Sequence, residues 1–206
     1  MRRRLLPLTV LLLALGGCAG QSTEFHRYTL PEADSDGAVT AGDTATRQVV
    51  QLSPVTLAAY LDGSGIVFQT SDIEVQQAQA HLWAEDIGTQ LTRTLRDALA
   101  GQLPQSRVRI GDDPQPEQAR VQVTLSQFQG RHDGMAVLAG RYTLQDARGR
   151  LIEQQPFRIE RPLPKDGYPA LVRTLGAGWQ AVAERIAGEL RPRLPAMAAP
   201  DAAASS

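Results

Sequence analysis

Apolar and polar residues alternate along three consecutive segments in the second half of the chain, at residues 120–128, 135–145 and 151–161. Such alternation is typical of β-strands that bury one face and expose the other. Short glycine-containing sequences with turn-forming residues separate the three segments. Because these connections are short, we expect three antiparallel strands that form a meander.

Two longer segments carry apolar residues at the spacing of an α-helix instead. In the first, residues 80–100, the apolar stripe consists of Trp83, Ile87, Leu91, Leu95 and Leu99. Glu85 and Asp86 are expected in its first turn, where negative charge favours the helix dipole. The second helix is predicted to begin with Asp166 as its N-cap and to end at Pro192.

Shorter elements are predicted nearer the N-terminus. Their composition and short length indicate strands at residues 26–31, 48–52, 66–70, 73–76 and, after the first helix, 108–110. Ser53 and Pro54 form the start signal of a short helix, and Asp62 marks its end. The strands on either side of Ser71-Asp72 are expected to form a hairpin.

These elements together predict an α+β fold, because two helices with one apolar face each can bury those faces against the apolar face of a sheet. We expect a two-layer sandwich with a mostly antiparallel sheet and two long helices packed on one face. Residues 48–191 would form most of this domain. Residues 18–47 would supply a tether, the first strand and a mobile loop, and residues 192–206 a disordered tail.

The start of the chain has the composition of a secretory signal peptide. Arg2–Arg4 precede an apolar run from Leu5 to Leu15, which is shorter than the roughly 20 residues that span a bilayer. Residues 1–17 are therefore predicted to be a removable leader. The sequence Leu15-Gly16-Gly17-Cys18 resembles a bacterial lipobox, which implies cleavage before Cys18 and acyl chains, such as palmitate, on that cysteine.

Ala19, and not aspartate, follows the cysteine. By resemblance to lipoprotein sorting in enteric-type bacteria, this residue implies a lipid anchor in the outer membrane, with the domain at its periplasmic face. The formal net charge is −1, and losing the three leader arginines would leave −4. A mildly acidic domain does not favour nucleic acid as a partner.

Residues that could carry chemistry are few and badly spaced for it. His26, His81 and His132 lack neighbours at metal-ligand spacing, and each is expected to be a solvated surface residue. Gly63-Ser64-Gly65 follows a predicted helix and is no nucleophile elbow. The acidic residues of the 112–118 segment predict a solvated loop. We therefore predict no catalytic residue, no cofactor and no metal site, and the protein is not expected to be an enzyme.

Three further segments occur in order along the chain. The first is Tyr-Thr-Leu-Pro, the second ends in Tyr-Leu-Asp, and the third is Trp-Ala-Glu. Together they resemble the ABC-type transport auxiliary lipoproteins, the PqiC-like family. The residues that carry the resemblance are Tyr28, Leu30, Pro31, Tyr60, Leu61, Asp62, Trp83, Ala84 and Glu85.

The resemblance implies an outer-membrane-anchored lipoprotein of an ABC-type lipid transport system that supports envelope integrity. It implies docking to the periplasmic tunnel of a mammalian-cell-entry (MCE) domain protein, and through it to an inner-membrane permease. A homo-oligomeric ring is left open. The chain lacks the glycine-rich loop with Lys-Ser/Thr that ATP hydrolysis would need.

Two alternatives remain open at this point. One is a periplasmic carrier lipoprotein that holds a lipid or small molecule between helices and sheet, and the other is an envelope hydrolase. For a docking subunit, the candidate partner surface is the solvent-facing side of the meander with the loops at residues 63–65 and 131–134. Loops on rigid scaffolds commonly carry recognition.

Overall fold

The structure, a computed structural model, describes residues 24–32, 48–111 and 119–195. Within these ranges, nine strands form one sheet and two α-helices pack on it. The strands are β1 His26–Tyr28, β2 Gln48–Leu52, β3 Thr56–Leu57, β4 Gly65–Gln69, β5 Val75–Trp83, β6 Ser106–Ile110, β7 Ala119–Arg131, β8 Met135–Gln145 and β9 Leu151–Pro162. The helices are α1 Ile87–Gln102 and α2 Tyr168–Leu190.

Strand β7 organises the sheet. Along one edge it pairs with β8 for almost its whole length, and β8 pairs with β9, both antiparallel. Along the other edge it pairs in succession with β2, β3 and β4, all parallel. The α+β two-layer fold and the meander are confirmed, and the antiparallel ladders of the meander are the longest in a mixed sheet.

The strand directions give the sheet two distinct ends. Gln69 lies opposite Arg131, and Met135 lies opposite Pro162. The β4–β5 turn (residues 70–74), the β7–β8 turn (132–134) and the β9–α2 connection (163–167) therefore share one end, which we call the hairpin end. The β8–β9 turn (146–150) and the segment after α2 (191–195) form the opposite end, which we call the groove end.

Both helices bury one face against the same side of the sheet, as predicted. Trp179 of α2 is 1% exposed, and its indole Nε1 donates a hydrogen bond to the Leu91 carbonyl of α1 at 3.1 Å. Gly178 lets α2 approach the sheet closely, because a Cβ there would lie 2.6 Å from Leu138 Cδ1. The core is thus a continuous apolar layer between helices and sheet.

The helix predicted from Ser53 to Asp62 is wrong. Residues 56–57 form strand β3, and a 3₁₀ turn covers Ala59–Leu61. The amide of Ser53 donates to Val121 O and that of Ala58 to Leu125 O, each at 2.9 Å. Backbone bonding to β7 has therefore replaced the bonds within a helix, despite the helix-start signal.

The predicted start of the first helix is also wrong. Residues 80–83 continue strand β5, so Trp83 is buried in the sheet and is not part of the helical stripe. Helix α1 begins at Ile87, and Asp86 is its N-cap, whose carboxylate accepts a hydrogen bond from Thr89 N at 2.7 Å. Glu85 and Asp86 therefore precede the first turn, because pairing with β1 holds residues 81–83 extended.

The limits of α2 differ slightly from the prediction. Its N-cap is Gly167, at φ +106°, and not Asp166; the Gly167 carbonyl accepts bonds from Ala170 N and Leu171 N. Beyond the helix, Leu194 is 5% exposed and joins the core, so packing continues past the predicted domain limit at residue 191. Four parts of the chain lie outside the described residues: residues 1–23 with the predicted leader and Cys18, the loop at residues 33–47, the acidic loop at 112–118 and residues 196–206.

Candidate functional site

Side chains that could ligate a metal ion do not cluster in the described parts of the chain. Among residues 24–32, 48–111 and 119–195, no group of three or more His, Cys, Asp or Glu is arranged to hold a metal ion. In the same residues, no helix is long and apolar enough to cross a membrane. The sites that remain are surfaces and the packing that shapes them.

The space between the helices and the sheet is nearly filled. A cavity there, below Trp83 and Phe128, has a volume of about 10 Å³, which is room for about one water molecule. An open groove of about 230 Å³ lies at the groove end, between Leu103 and Leu194. Both are below the roughly 300–1,000 Å³ of sites that enclose small molecules, so neither favours the carrier alternative.

Two of the three motif segments meet through backbone pairing. Tyr28 lies opposite Trp83 in the parallel pair of β1 and β5. The amide of Ala84 donates to Tyr28 O at 2.8 Å, and the amide of Trp83 donates to Ser64 O at 2.7 Å. The first and third segments therefore form one edge of the sheet, next to the loop at residues 63–65.

Gln90 of α1 fastens these two segments together. It is fully buried, and its Oε1 accepts a hydrogen bond from Leu30 N at 2.9 Å. Its Nε2 donates to Glu85 O at 3.1 Å. Sequence reasoning missed this residue, although a glutamine beside the apolar stripe, next to Leu91, was a usable signal.

The proline of the first segment determines how closely α2 packs against that segment. Pro31 lies against Gly176, where a Cβ would be 2.7 Å from the proline Cδ. Leu30 beside it is 4% exposed and belongs to the core. This segment therefore positions the sheet edge against both helices.

The second motif segment lies along β7, apart from the other two. The Tyr60 hydroxyl bonds to Ser126 O at 2.7 Å and to Gln129 Oε1 at 2.8 Å. Burial raises the pKa of this phenol above its ordinary value. Leu61 is in the core and Asp62 is exposed. The second segment thus packs along β7, next to strand β3.

Motif side chains reach the surface at only a few positions. Pro31, Asp62, Ala84 and Glu85 are exposed. Glu85 holds both guanidinium nitrogens NH1 and NH2 of Arg93, one at 3.0 Å, and this hydrogen bonding lowers the pKa of Glu85. The motif therefore acts mainly in packing, and few of its atoms are free to meet a partner.

Aromatic rings stack beside β1 near the start of α2. The His81 ring lies between those of His26 (4.9 Å, 12° between planes) and Tyr168 (3.9 Å, 16°), measured between centroids. The Tyr28 hydroxyl is 2.9 Å from His81 Nδ1. Burial, and then the nearby His26, lower the pKa of His81. His81 is partly buried, because the β5 extension carries it into this stack, so it is less solvated than predicted. His26 and His132 are exposed, as predicted.

The turn at residues 131–134 carries paired charges. Arg131 binds Asp133 at 2.8 Å and Glu160 at 3.0 Å, and Arg158 binds Glu160 at 2.6 Å. Hydrogen bonds from these arginines lower the pKa of both carboxyl groups. The loop at residues 63–65 lies at the other end of β4 from this turn, so the two loops predicted to share a partner surface are not brought together.

The two-layer sandwich, with three motif segments built into its edge and core, is that of an auxiliary lipoprotein of a transport system. The family described as ABC-type transport auxiliary lipoprotein component matches residues 28–187, and the chain belongs to it. The PqiC-like resemblance drawn from the motif is confirmed.

Curated relatives and solved structures agree with this assignment. The chain is 35% identical over 187 residues to the intermembrane transport lipoprotein PqiC of Escherichia coli (strain K12), covering 91% of this chain and 97% of that protein; the Shigella flexneri PqiC gives the same values. An uncharacterized protein of known structure is 32% identical with a TM-score of 0.69, covering 81% of this chain and 99% of the other. A Xanthomonas campestris protein shares the fold at 13% identity and a TM-score of 0.60, with the same coverage.

Proposed function

We propose that the protein is the lipid-anchored docking subunit of an intermembrane lipid transport system and catalyses no reaction itself. The observation that carries this proposal is the 35% identity to PqiC over 91% of the chain, because near-complete coverage makes the two proteins comparable as whole molecules. The small size of the two cavities described above favours docking over carriage of a lipid.

The anchor in this proposal is Cys18. After removal of residues 1–17, acyl chains on this cysteine would hold the domain at the periplasmic face of the outer membrane. One acyl chain gives only marginal binding, at roughly 0.8 kcal/mol per buried CH₂, whereas two or more give stable attachment. In this proposal the acyl chains hold the folded domain permanently at the membrane. The described residues of the domain contain no helix that could span it.

The partner in this proposal is the periplasmic tunnel of an MCE-domain protein, which connects to an inner-membrane permease and supports envelope integrity. The meander offers the docking face. Tyr142 of β8 is buried and lies 5.9 Å from Arg185 Cζ of α2, so the exposed Arg141 beside it projects from the opposite face. Alternating exposure along β7 continues this polar face.

Capture of the partner tests the proposal, with C18S and R141E as separate variants of the full chain. C18S should lose labelled palmitate and leave the outer-membrane fraction. R141E should keep both but recover less MCE-domain protein in a pull-down, because it reverses a charge at the centre of the docking face. R109E is the matched control, an exposed arginine on the edge strand β6.

Two results would contradict the proposal. The anchor fails if C18S fractionates with membranes as the unaltered chain does. The docking role fails if the unaltered lipoprotein recovers no MCE-domain protein and its deletion leaves envelope permeability unchanged. Equal losses in R141E and R109E would move the docking face away from the meander.

A further inference from the structure

An isoleucine stands almost fully exposed at the hairpin end. Ile73, in the turn between β4 and β5, is 90% exposed, and Val75 beside it is 40% exposed. The turn is well ordered, because Thr70 N donates to Glu74 O at 2.9 Å and Ser71 Oγ accepts from Glu74 N at 3.2 Å. A fixed turn thus presents an apolar side chain outward, where contact with water is unfavourable.

The N-terminal chain joins the domain at strand β1, whose first residue faces this same end. Strand β1 runs parallel to β5, with His26 opposite His81. Phe25 and His26 therefore lie on the side of β1 that faces the start of β5 at Val75, which is the hairpin end. Phe25 is 60% exposed.

The length of this N-terminal chain limits how far the hairpin end can be from the anchor. Cys18 precedes His26 by eight residues, which span at most about 29 Å when fully extended. Val75 precedes His81 by six residues, or about 20 Å along a strand. Acyl chains at Cys18 would therefore hold the hairpin turn close to the bilayer surface.

We propose that Ile73, with Val75, inserts into the interface of the bilayer that holds the acyl chains of Cys18. This inference rests on the lipid anchor of the proposed function. The turn is a second contact that fixes how the domain stands on the membrane, with the groove end farthest from it. A freely pivoting tether would not give the meander a constant direction, whereas a second contact does.

A lipid surface fits this turn better than a protein does. One isoleucine on a protruding turn cannot supply the roughly 1,000 Å² that a specific protein interface buries. Interfacial binding needs only an apolar group that reaches the acyl boundary. Asp72 and Glu74 flank the isoleucine, so zwitterionic headgroups are favoured over anionic ones.

Depth-dependent quenching tests the proposal on the lipidated full chain in phosphatidylcholine vesicles. The thioether at Cys18 leaves an introduced cysteine as the only free thiol, so I73C and L151C can each carry one environment-sensitive fluorophore. Leu151 is the matched control, an exposed leucine (58%) at the groove end. We expect a blue shift and loss of most fluorescence with spin-labelled phospholipid at position 73, and neither at position 151.

Each other outcome overturns the inference. If the protein floats with the vesicles but position 73 is not quenched, the turn does not touch lipid and the anchor alone stands. A blue shift at position 73 without lipid quenching indicates a second copy or another protein as the occupant. Equal quenching at both positions means that the domain lies flat. If the protein does not float, the anchor falls and this inference falls with it.

Discussion

At the scale of single residues, Gln90 shows how the family motif is held. One buried amide accepts from Leu30 N and donates to Glu85 O, so two motif segments that are distant in sequence depend on the same side chain. A buried polar group without a partner is costly. The motif therefore depends on a residue that lies outside it.

Replacing Gln90 by methionine should measure this cost. Methionine has nearly the same shape, but its sulfur is only a weak acceptor for the Leu30 amide and it has no donor for Glu85 O. We therefore expect the free energy of unfolding to fall by about 1–3 kcal/mol. Q102M, at the partly exposed end of α1, is the control and should change stability little. Urea unfolding of both variants gives the comparison, and equal effects would show that the buried amide contributes nothing specific.

His81 should make stability depend on pH in a predictable direction. Its pKa in the folded protein is below the ordinary 6.5, so the neutral ring is favoured by folding. Above this pH the group is neutral in both states and contributes nothing. As the pH falls below about 6.5, the unfolded chain takes up the proton first, and the free energy of unfolding declines.

The decline should be seen by comparing variants between about pH 7 and pH 5. H81F keeps an aromatic ring in the stack but cannot titrate, so its stability should fall less than that of the unaltered chain over this range. H26Q should also lessen the decline, because His26 contributes to lowering the pKa of His81. Parallel curves for the unaltered chain and H81F would contradict the argument.

At the scale of elements, pairing between strands determined the helix and strand boundaries that the local sequence pattern predicted wrongly. Ser53-Pro54 is a good helix start, but the amides of Ser53 and Ala58 bond to β7. The apolar spacing around Trp83 fits a helix, but β1 holds those residues in a strand. By contrast, the meander and the bodies of both helices were predictable, because their periodicity is long and their partners are near in sequence.

Two glycines of α2 allow the effect of packing on stability to be measured separately from the effect of helix propensity. Gly178 faces Leu138 at a distance that leaves no room for a Cβ, whereas nothing lies within 4 Å of a Cβ at Gly188. We expect G178A to destabilise the protein by about 1–3 kcal/mol through overpacking. G188A should stabilise it by about 0.5–1 kcal/mol, because alanine favours a helix. Thermal unfolding that shifts both variants in the same direction would contradict this.

At the scale of the whole molecule, the two ends of the sheet present different surfaces. The exposed Ile73 lies at the hairpin end, which the start of β1 faces, and the open groove lies at the other end. The meander connects them and exposes polar side chains on the side away from the helices. Such a shape suits a subunit that holds a partner at a set distance from a membrane.

The filled interior predicts that the protein carries no lipid of its own. A cavity of about 10 Å³ cannot accommodate an acyl chain. Native mass spectrometry of the C18S chain, which lacks covalent lipid, should therefore give the mass of the polypeptide alone. A stoichiometric phospholipid in that spectrum would favour the carrier alternative over the docking subunit.

The sequence by itself determined the two-layer fold, the meander, the helix bodies and the family. Each of these depends on periodicity or on short motifs that can be read from the linear sequence. Only the tertiary structure decided that residues 56–57 form strand β3, that β5 continues to Trp83, that Gln90 fastens the motif, and that His81 is stacked. It also decided that the start of β1 faces the end of the sheet at which Ile73 lies. These features arise from contacts between segments that are far apart in the chain. The energies of those contacts outweigh the local conformational preferences, and the contacts produce no periodic pattern in the sequence.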